Sequence, residues 1–251
     1  MKLISFAKFS IILLGLFFLI VIFSGFYSVN WSKFSELIKN KEFLSAVFFT
    51  IKTSFVATFL SFVAGVPAGF YLARKKTLFS AVTDILFDIP VVIPPLIVGV
   101  FLMSMFNAEI IKKFYDFIFT ASGASIAQFF IAFPFTVKAS KNAFELVNPV
   151  YERIAMTLGS TYFKSFYDTT FKIALPGILS GVILTWLRCV GEFGATLMVG
   201  GGIAGKTENL PVFIYINMVS GEFETAIAAS ALTVIIAFIC ILTLRIIFGK
   251  H

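Results

Sequence analysis

Six long apolar stretches constrain this chain more than any other feature of its sequence. Each is long enough to cross a bilayer, which takes about 20 mostly apolar residues in a helix. Inside a bilayer the backbone finds no water, so a spanning segment satisfies its hydrogen bonds internally, as a helix does. We therefore predict an all-α polytopic membrane protein with six transmembrane helices near residues 9–30, 45–72, 80–105, 122–147, 177–199 and 225–247.

Little sequence remains outside these stretches. Apolar residues make up 59% of the chain and charged residues 13%, which is unlike a soluble domain. We therefore expect one transmembrane domain over residues 1–251, with both termini on the same side because the number of spans is even. The first apolar run is too long for the core of a signal peptide and lacks a small-residue cleavage site, so we interpret it as a retained span.

The distribution of Lys and Arg predicts the orientation, because cytoplasmic loops carry the excess of positive charge. The side that holds the termini has twelve basic residues: Lys2, Lys8, Arg74, Lys75, Lys76, Lys138, Lys141, Arg153, Lys164, Lys172, Arg245 and Lys250. The other side has six: Lys33, Lys39, Lys41, Lys112, Lys113 and Lys206. The termini are therefore predicted to be cytoplasmic, and the net charge of +7 reflects topology rather than nucleic-acid binding.

Residues 148–159, between the fourth and fifth spans, have the pattern of a capped amphipathic helix. Asn148 can cap the helix, Glu152 lies near the positive end of its dipole, and Gly159 ends it. Beside an exposed edge of Glu152 and Arg153 runs one apolar stripe, formed by Tyr151, Ile154, Ala155 and Leu158. A polar helix between membrane spans has to face water or a partner, so we interpret it as a plug for a groove in another protein.

A second helix is predicted directly after Gly159, with Ser160 as its cap. It carries a helically spaced set of mainly aromatic residues: Phe163, Phe166, Tyr167, Thr170, Phe171 and Ala174. We expect it to stop near Leu175 and Pro176, because a proline interrupts helical hydrogen bonding.

The third span is interrupted by three prolines, Pro90, Pro94 and Pro95, in a segment that begins with Asp88 and ends with Gly99. Such a segment cannot form a regular helix. Broken helices persist in membranes only where protein or a water-filled path satisfies the freed carbonyls. One interpretation is a kink packed against neighbouring helices. The interpretation that we favour is a broken helix on a translocation pathway, because three prolines exceed what one kink needs.

The fifth span contains two charged residues, Arg188 and Glu192, four positions apart. A lone Arg at this depth costs at least ~2.5 kcal/mol on insertion scales, so it needs a partner or water. Glu192 is expected to share its helical face and to pair with it. Two readings stay open: a neutralised pair that packs the bundle, or a cationic point on the route of an anion that Glu192 holds in place.

Residues 200–207 match the phosphate-binding pattern G-x-x-x-x-G-K-[ST]. A functional loop of this type follows a strand and opens a helix, whereas this segment follows a membrane span and precedes Pro211. Its predicted position outside the cell also separates it from ATP. We therefore expect the loop to bind no nucleotide.

The sequence contains no recognisable catalytic or metal-binding constellation. The single histidine, His251, is the last residue, and Cys189 and Cys240 lie in different spans where a disulfide is not expected. We therefore predict that the chain is not an enzyme and binds no cofactor or metal.

The helix pair resembles the cytoplasmic "EAA" loop of the permease subunits of ATP-binding-cassette (ABC) importers. Glu152, Ala155, Gly159 and the Leu175-Pro176 pair match that pattern, while Ile154 replaces its first alanine. The stretch from Gly159 to Pro176 is four residues longer than usual in the family, about one helical turn.

Two further segments resemble the molybdate branch of these permeases. The first consists of residues 65–75 and the pattern that follows them: Asp88, Pro90, Pro94-Pro95 and Gly99. The second consists of residues 191–198, which read Gly-Glu-Phe-Gly-Ala-Thr-Leu-Met. The loop after this second segment contains Gly205-Lys206-Thr207. Related sulfate permeases usually lack the double proline. The resemblance covers roughly residues 45–230 and favours molybdate or tungstate as the solute.

The resemblance implies a homodimer in a prokaryotic cell membrane with two cytoplasmic ATPase subunits and an external oxyanion-binding protein. ATP and Mg²⁺ would bind to the ATPase partners. Residues 148–159 would form the coupling helix, and the pathway would involve Asp88, the three prolines, Gly99, Arg188, Glu192, Phe193 and Gly194. The alternatives are a permease for sulfate or another anion, and an ion-coupled secondary transporter, which would need internal repeats and an intramembrane acid for the coupling ion.

Overall fold

The computed structural model describes residues 2–248, so Lys250 and His251 lie outside the described part of the chain. Every regular element in it is helical, which confirms the predicted all-α class. The α-helices are α1 Lys2–Tyr27, α2 Trp31–Leu37, α3 Lys41–Arg74, α4 Leu78–Val92, α5 Pro95–Phe106, α6 Glu109–Lys112, α7 Ala121–Glu145, α8 Val150–Thr157, α9 Tyr162–Ser165, α10 Lys172–Val190, α11 Gly194–Gly200, α12 Leu210–Val219 and α13 Phe223–Phe248; a π segment, Phe166–Phe171, joins α9 to α10.

Four helices of the described chain are long and apolar enough to cross a membrane by themselves: Lys8–Tyr27, Lys41–Arg74, Tyr162–Val190 and Phe223–Thr243. A fifth crossing is possible if α4 and α5 form one span, although they are bent by 110°. The predicted fourth span corresponds to α7, which is 25 residues long but is not among the helices that are apolar enough to cross a membrane by themselves. The structure therefore supports four or five of the six predicted spans: the third is broken, and the fifth begins earlier and ends earlier than predicted, at Tyr162 and Val190.

The chain divides into two compact units, one formed by residues 45–211 and the other by residues up to Leu44 together with those from Val212. In the larger unit, α7 packs against α3 through small residues. A Cβ atom on Gly69 would lie 2.7 Å from Cβ of Ser140, and one on Gly65 would lie 3.2 Å from Cβ of Thr136. Two glycines four positions apart let membrane helices approach closely, and here they bring α3 onto α7.

A second pair of glycines brings α10 onto another side of α7. A Cβ atom on Gly177 would lie 2.8 Å from Cβ of Ala143, and one on Gly181 only 2.1 Å from Cβ of Ala139. Because real carbon atoms stay about 3.5–4.0 Å apart, this contact requires glycine. Close approach of the backbones therefore holds α7 between α3 and α10.

In the smaller unit, α2 is capped by Asn30, whose side chain accepts a hydrogen bond from the Ser32 amide and donates one to Glu224 on α13. The described apolar side chains of α1 are exposed from Ile4 to Phe23. A helix that is apolar on all sides needs lipid or another protein around it.

Candidate functional site

The predicted amphipathic helix is present as α8, which begins at Val150 and ends at Thr157. Asn148 caps it as expected, because its side-chain oxygen accepts a hydrogen bond from the Val150 amide at 3.0 Å. Gly159 has a φ of +89°, a backbone conformation that favours glycine, and it terminates the helix. The local sequence signals therefore placed both ends of this helix.

The apolar stripe of α8 faces outward within this chain. The exposed fractions are 51% for Tyr151, 51% for Ile154 and 82% for Leu158, and Ala155 is half-buried. A short helix in a loop gains little stability by itself, and an apolar face left open on it is typical of an interaction site.

Glu152 is buried, which corrects the prediction of an exposed Glu152–Arg153 edge; only Arg153 is exposed. The carboxylate faces into its own subunit. Its Oε1 lies 3.5 Å from a guanidinium nitrogen of Arg74 and also accepts a short hydrogen bond from the Thr170 hydroxyl. Sequence reasoning missed both partners, because Arg74 comes from a helix far away along the chain and Thr170 from a π segment that the sequence did not predict.

The second helix differs from its prediction at both ends. Thr161 rather than Ser160 precedes it, and the chain continues through Pro176 as one helical stretch to Val190. The hydrogen-bond register changes in the π segment just before Pro176, and helices in membranes tolerate a proline where neighbours satisfy the backbone. The predicted stop at Leu175 and Pro176 is therefore wrong: the residues from Tyr162 onward belong to the fifth membrane helix.

The break predicted in the third span is confirmed. The helix α4 includes Pro90 and ends at Val92, the chain is extended at Ile93 and Pro94, and Pro95 begins α5. The bend of 110° turns α5 away from the direction of α4. A simple kink does not describe this segment.

Asp88 pairs with α7 rather than with the other predicted pathway residues. Its carboxylate lies 2.5 Å from Nζ of Lys138, and one turn earlier Asp84 lies 2.7 Å from Nζ of Lys141. These two ion pairs join α4 to α7, a role of the lysines that the count of basic residues on each side does not predict.

The predicted pathway residues of α5 and α11 meet at a tight crossing. A Cβ atom on Gly99 would lie 2.7 Å from Cβ of Met198, and one on Gly194 would lie 2.9 Å from the Leu96 amide nitrogen. Ala195 is fully buried there. Just before the crossing, Val92 is 80% exposed. The segment is therefore packed at its crossing and open at its break.

Arg188 and Glu192 form the predicted ion pair, with 2.5 Å between Nη1 and Oε2. The helix α10 ends at Val190, so Glu192 lies in the following turn and not on the same helix face as expected. Its other carboxylate oxygen accepts a hydrogen bond from the Ala195 amide at 3.0 Å, and its carbonyl accepts one from Asn209 at 2.7 Å. Glu192 thus joins α10, α11 and the segment before α12, whereas Arg188 remains 30% exposed.

Phe193 directly precedes α11 and is half-buried. Along the chain it lies between Glu192 of the ion pair and Gly194 of the crossing between α5 and α11.

The loop at residues 200–207 does not have the geometry of a phosphate-binding loop. It follows α11, and the next helix begins only at Leu210. The Thr207 hydroxyl donates to the Gly200 carbonyl at 2.6 Å and accepts from the Ile203 amide at 3.2 Å, which closes the turn on itself. The hydroxyl that would bind Mg²⁺ in a phosphate-binding loop is therefore occupied.

Residues 65–250 match a family of inner-membrane components of binding-protein-dependent transport systems. The chain belongs to this family. The match extends from the second half of α3 to the end of α13 and includes α8, the broken third span and the crossing of α5 with α11.

Relatives and one solved structure agree with this assignment. The chain is similar to the molybdenum transport system permease protein ModB of Mycobacterium tuberculosis, at 31% identity over 85% of this chain and 83% of that protein. It is also similar to the sulfate transport system permease protein CysT of Escherichia coli, at 30% identity over 89% and 84%. The fold matches the inward-facing MetNI methionine ABC transporter with a TM-score of 0.61 and 19% identity, over 80% of this chain and 91% of that one. The chain is therefore a permease subunit of an ABC importer with the type I fold.

Proposed function

We propose that this chain is the transmembrane subunit of an ATP-driven importer for molybdate or tungstate. Two copies would enclose the path, two cytoplasmic subunits would bind and hydrolyse ATP with Mg²⁺, and an external protein would deliver the oxyanion. The observation that carries the role of an ATP-driven permease is the exposed apolar stripe of α8 in a chain of the binding-protein-dependent family. The choice of solute rests on the Pro94-Pro95 pair.

The chain itself would line the translocation path and transmit the movement of the ATPase subunits to it, and it would not act as an enzyme. Tyr151, Ile154 and Leu158 present apolar area that a groove in the ATPase subunit can cover. Asn148 and Gly159 fix the two ends of α8 and so the length of the helix that would enter this groove. We expect no nucleotide, metal or cofactor to bind to this chain, since ATP hydrolysis would belong to its partner.

The orientation proposed for the chain places α8 and both termini in the cytoplasm of a prokaryotic cell. The excess of twelve basic residues over six supports it, because positive charge marks the cytoplasmic side. The exposed apolar surface of α1 would face lipid and the second permease copy.

The route proposed for the anion passes the break before α5 and the Arg188–Glu192 pair. Arg188 is 30% exposed although its partner is buried, so part of the guanidinium is free to face a water-filled seam. The buried carboxylate holds the guanidinium in place, and the tight crossing at Gly99 and Gly194 keeps this region rigid. One partly neutralised cation attracts a dianion without trapping it, and a conducting path requires such weak binding.

Sulfate is the second candidate solute, because the identity to CysT, 30%, is nearly that to ModB, 31%. We favour molybdate or tungstate because of the Pro94-Pro95 pair, which resembles the molybdate branch. Family membership removes the support for an ion-coupled secondary transporter.

Uptake by proteoliposomes tests this proposal. The vesicles would contain the chain with its ATPase subunit, with the binding protein added outside, and labelled molybdate uptake would be measured against equal trace amounts of tungstate or sulfate. We expect uptake only when ATP is present inside the vesicles and binding protein outside. Tungstate should compete strongly for this uptake and sulfate weakly. Equal competition by sulfate would favour the second candidate, and uptake driven by an ion gradient without ATP would contradict the proposal.

A further inference from the structure

Arg74, the last residue of α3, connects segments that are distant in the sequence. Its Nη1 donates a hydrogen bond to the Val147 carbonyl at 3.0 Å, and its Nη2 lies 3.5 Å from Oε1 of Glu152 on α8. We propose that Arg74 is a positioning residue that fixes α8 to the end of α3, so that a displacement of α8 moves this membrane helix. This inference rests on the proposed function and assigns Glu152 a role inside its own subunit.

The low exposure of both partners makes the contact effective. The side chain of Arg74 is 18% exposed and that of Glu152 is 12% exposed. An exposed pair of long side chains contributes little to holding two elements together, because solvent and salt screen it. A pair withdrawn from water is screened less, and separating it leaves two charges without partners. The pair therefore resists any movement of α8 that α3 does not follow.

Aromatic packing fixes the orientation of the guanidinium. The Arg74 guanidinium carbon lies 5.9 Å from the centre of the Phe70 ring, one turn earlier on α3. That ring packs edge-on against Phe144 at 5.1 Å and against Phe166 at 4.9 Å. A cation held over a ring face in this way is both attracted and aligned. The end of α3 thus holds the Arg74 guanidinium in the orientation in which it contacts the Glu152 carboxylate.

The π segment supplies the second anchor of that carboxylate. Thr170 is fully buried and donates its hydroxyl hydrogen to the same Oε1 of Glu152. A π turn changes the direction of the side chains around it and often marks a functional position in a helix. Because the π segment leads directly into α10, one carboxylate connects α8 to two membrane helices, α3 and α10.

Glu152 does not lie on the face of α8 that is open to a partner. Taken as whole residues, Ile154 and Leu158 on the exposed stripe are 51% and 82% exposed, whereas Glu152 is 9% exposed. The geometry therefore favours an internal tie for Glu152 over a direct contact with the ATPase subunit.

Coupling measurements on the reconstituted transporter test this inference. Arg74→Met and Glu152→Gln each remove one charge with little change in volume. We expect both variants to retain a normal amount of ATPase subunit but to hydrolyse about fivefold or more ATP per anion imported, as expected for a lost coupling of 1–3 kcal/mol. In the double variant no unpaired charge remains, so its effect should be smaller than the product of the two single effects. Arg74→Lys should restore much of the coupling.

Lys172→Met is the matched control, because it removes a cation from an exposed pair with Asp168 in the same helical stretch, where the side chains are 56% and 41% exposed. Its ATP-to-anion ratio should equal that of the unchanged protein. A normal ratio in both single variants would overturn the inference. Loss of ATPase subunit from Glu152→Gln but not from Arg74→Met would also overturn it, because Glu152 would then contact the partner directly.

If the charge-removing variants do not assemble, Thr170→Val decides, since it removes one hydrogen bond and keeps the ion pair. A raised ratio supports the inference and a normal ratio overturns it. Import by the unchanged protein without any ATPase subunit would remove the proposed function and this inference together, whereas the preceding outcomes leave the proposed function intact.

Discussion

Replacement of Arg188 by glutamine is expected to destabilise the protein more than replacement of its partner Glu192. The reason is the group that each change leaves behind. Arg188→Gln leaves the Glu192 carboxylate, which is 1% exposed, without its cation. Glu192→Gln leaves the Arg188 guanidinium, which is 30% exposed and can be hydrated.

The magnitudes follow from these exposures. Leaving a buried charge unpaired costs about 3–5 kcal/mol, which we expect for Arg188→Gln even though the Ala195 amide still binds the carboxylate. A lost hydrogen bond between charged groups costs about 1.5–3 kcal/mol, and the partial exposure of Arg188 brings the expectation for Glu192→Gln to the lower end. In a chain of this size 1 kcal/mol shifts the melting temperature by about 2–4 °C, so the expected decreases are about 6–20 °C for Arg188→Gln and about 3–6 °C for Glu192→Gln.

Thermal unfolding of the purified complex in detergent measures these shifts. Lys33→Gln serves as a control for charge removal, because its pair with Glu36 is exposed and should give no measurable shift. Anion uptake, normalised to the amount of assembled complex, separates the two readings of the pair. Loss of uptake with normal assembly supports an anion role for Arg188, and loss of assembly supports a structural pair.

An equal or larger shift for Glu192→Gln would refute this reasoning. It would mean that the carboxylate left without its cation is not the dominant cost at this site, since the glutamine in Glu192→Gln still offers an oxygen to the Ala195 amide.

Two further predictions concern the proposed plug and the proposed path. Leu158→Glu should reduce the ATPase subunit recovered with the chain by at least about tenfold, as expected when a charge enters an apolar interface, whereas Leu78→Glu, at a similarly exposed leucine outside α8, should not. On a background without the two native cysteines, Val92→Cys should react with a charged thiol reagent at a rate that changes with ATP, and the buried Ala195→Cys should stay inert; equal inertness at both would favour packed core.

Local sequence signals determined the elements whose causes are local. The apolar stretches predicted the all-α class and four of the membrane helices. Asn148 and Gly159 placed the ends of α8, and the three prolines placed the break between α4 and α5, because caps, glycine φ angles and missing amide donors act within one turn of the chain.

Only the tertiary structure decided which way charged side chains face and which segments share a contact. Glu152 had every local property of an exposed helix residue, yet it is buried because Arg74 and Thr170 come from other segments. Pro176 was expected to end a helix, yet the helix continues because packing on α7 through Gly177 and Gly181 outweighs the lost hydrogen bond. Helical periodicity reveals which residues share a face but not what lies opposite that face. The sequence by itself therefore determined four of the membrane helices, the break in the third span and the amphipathic helix α8, whereas the packing of distant helices decided how α8 is attached to the membrane helices.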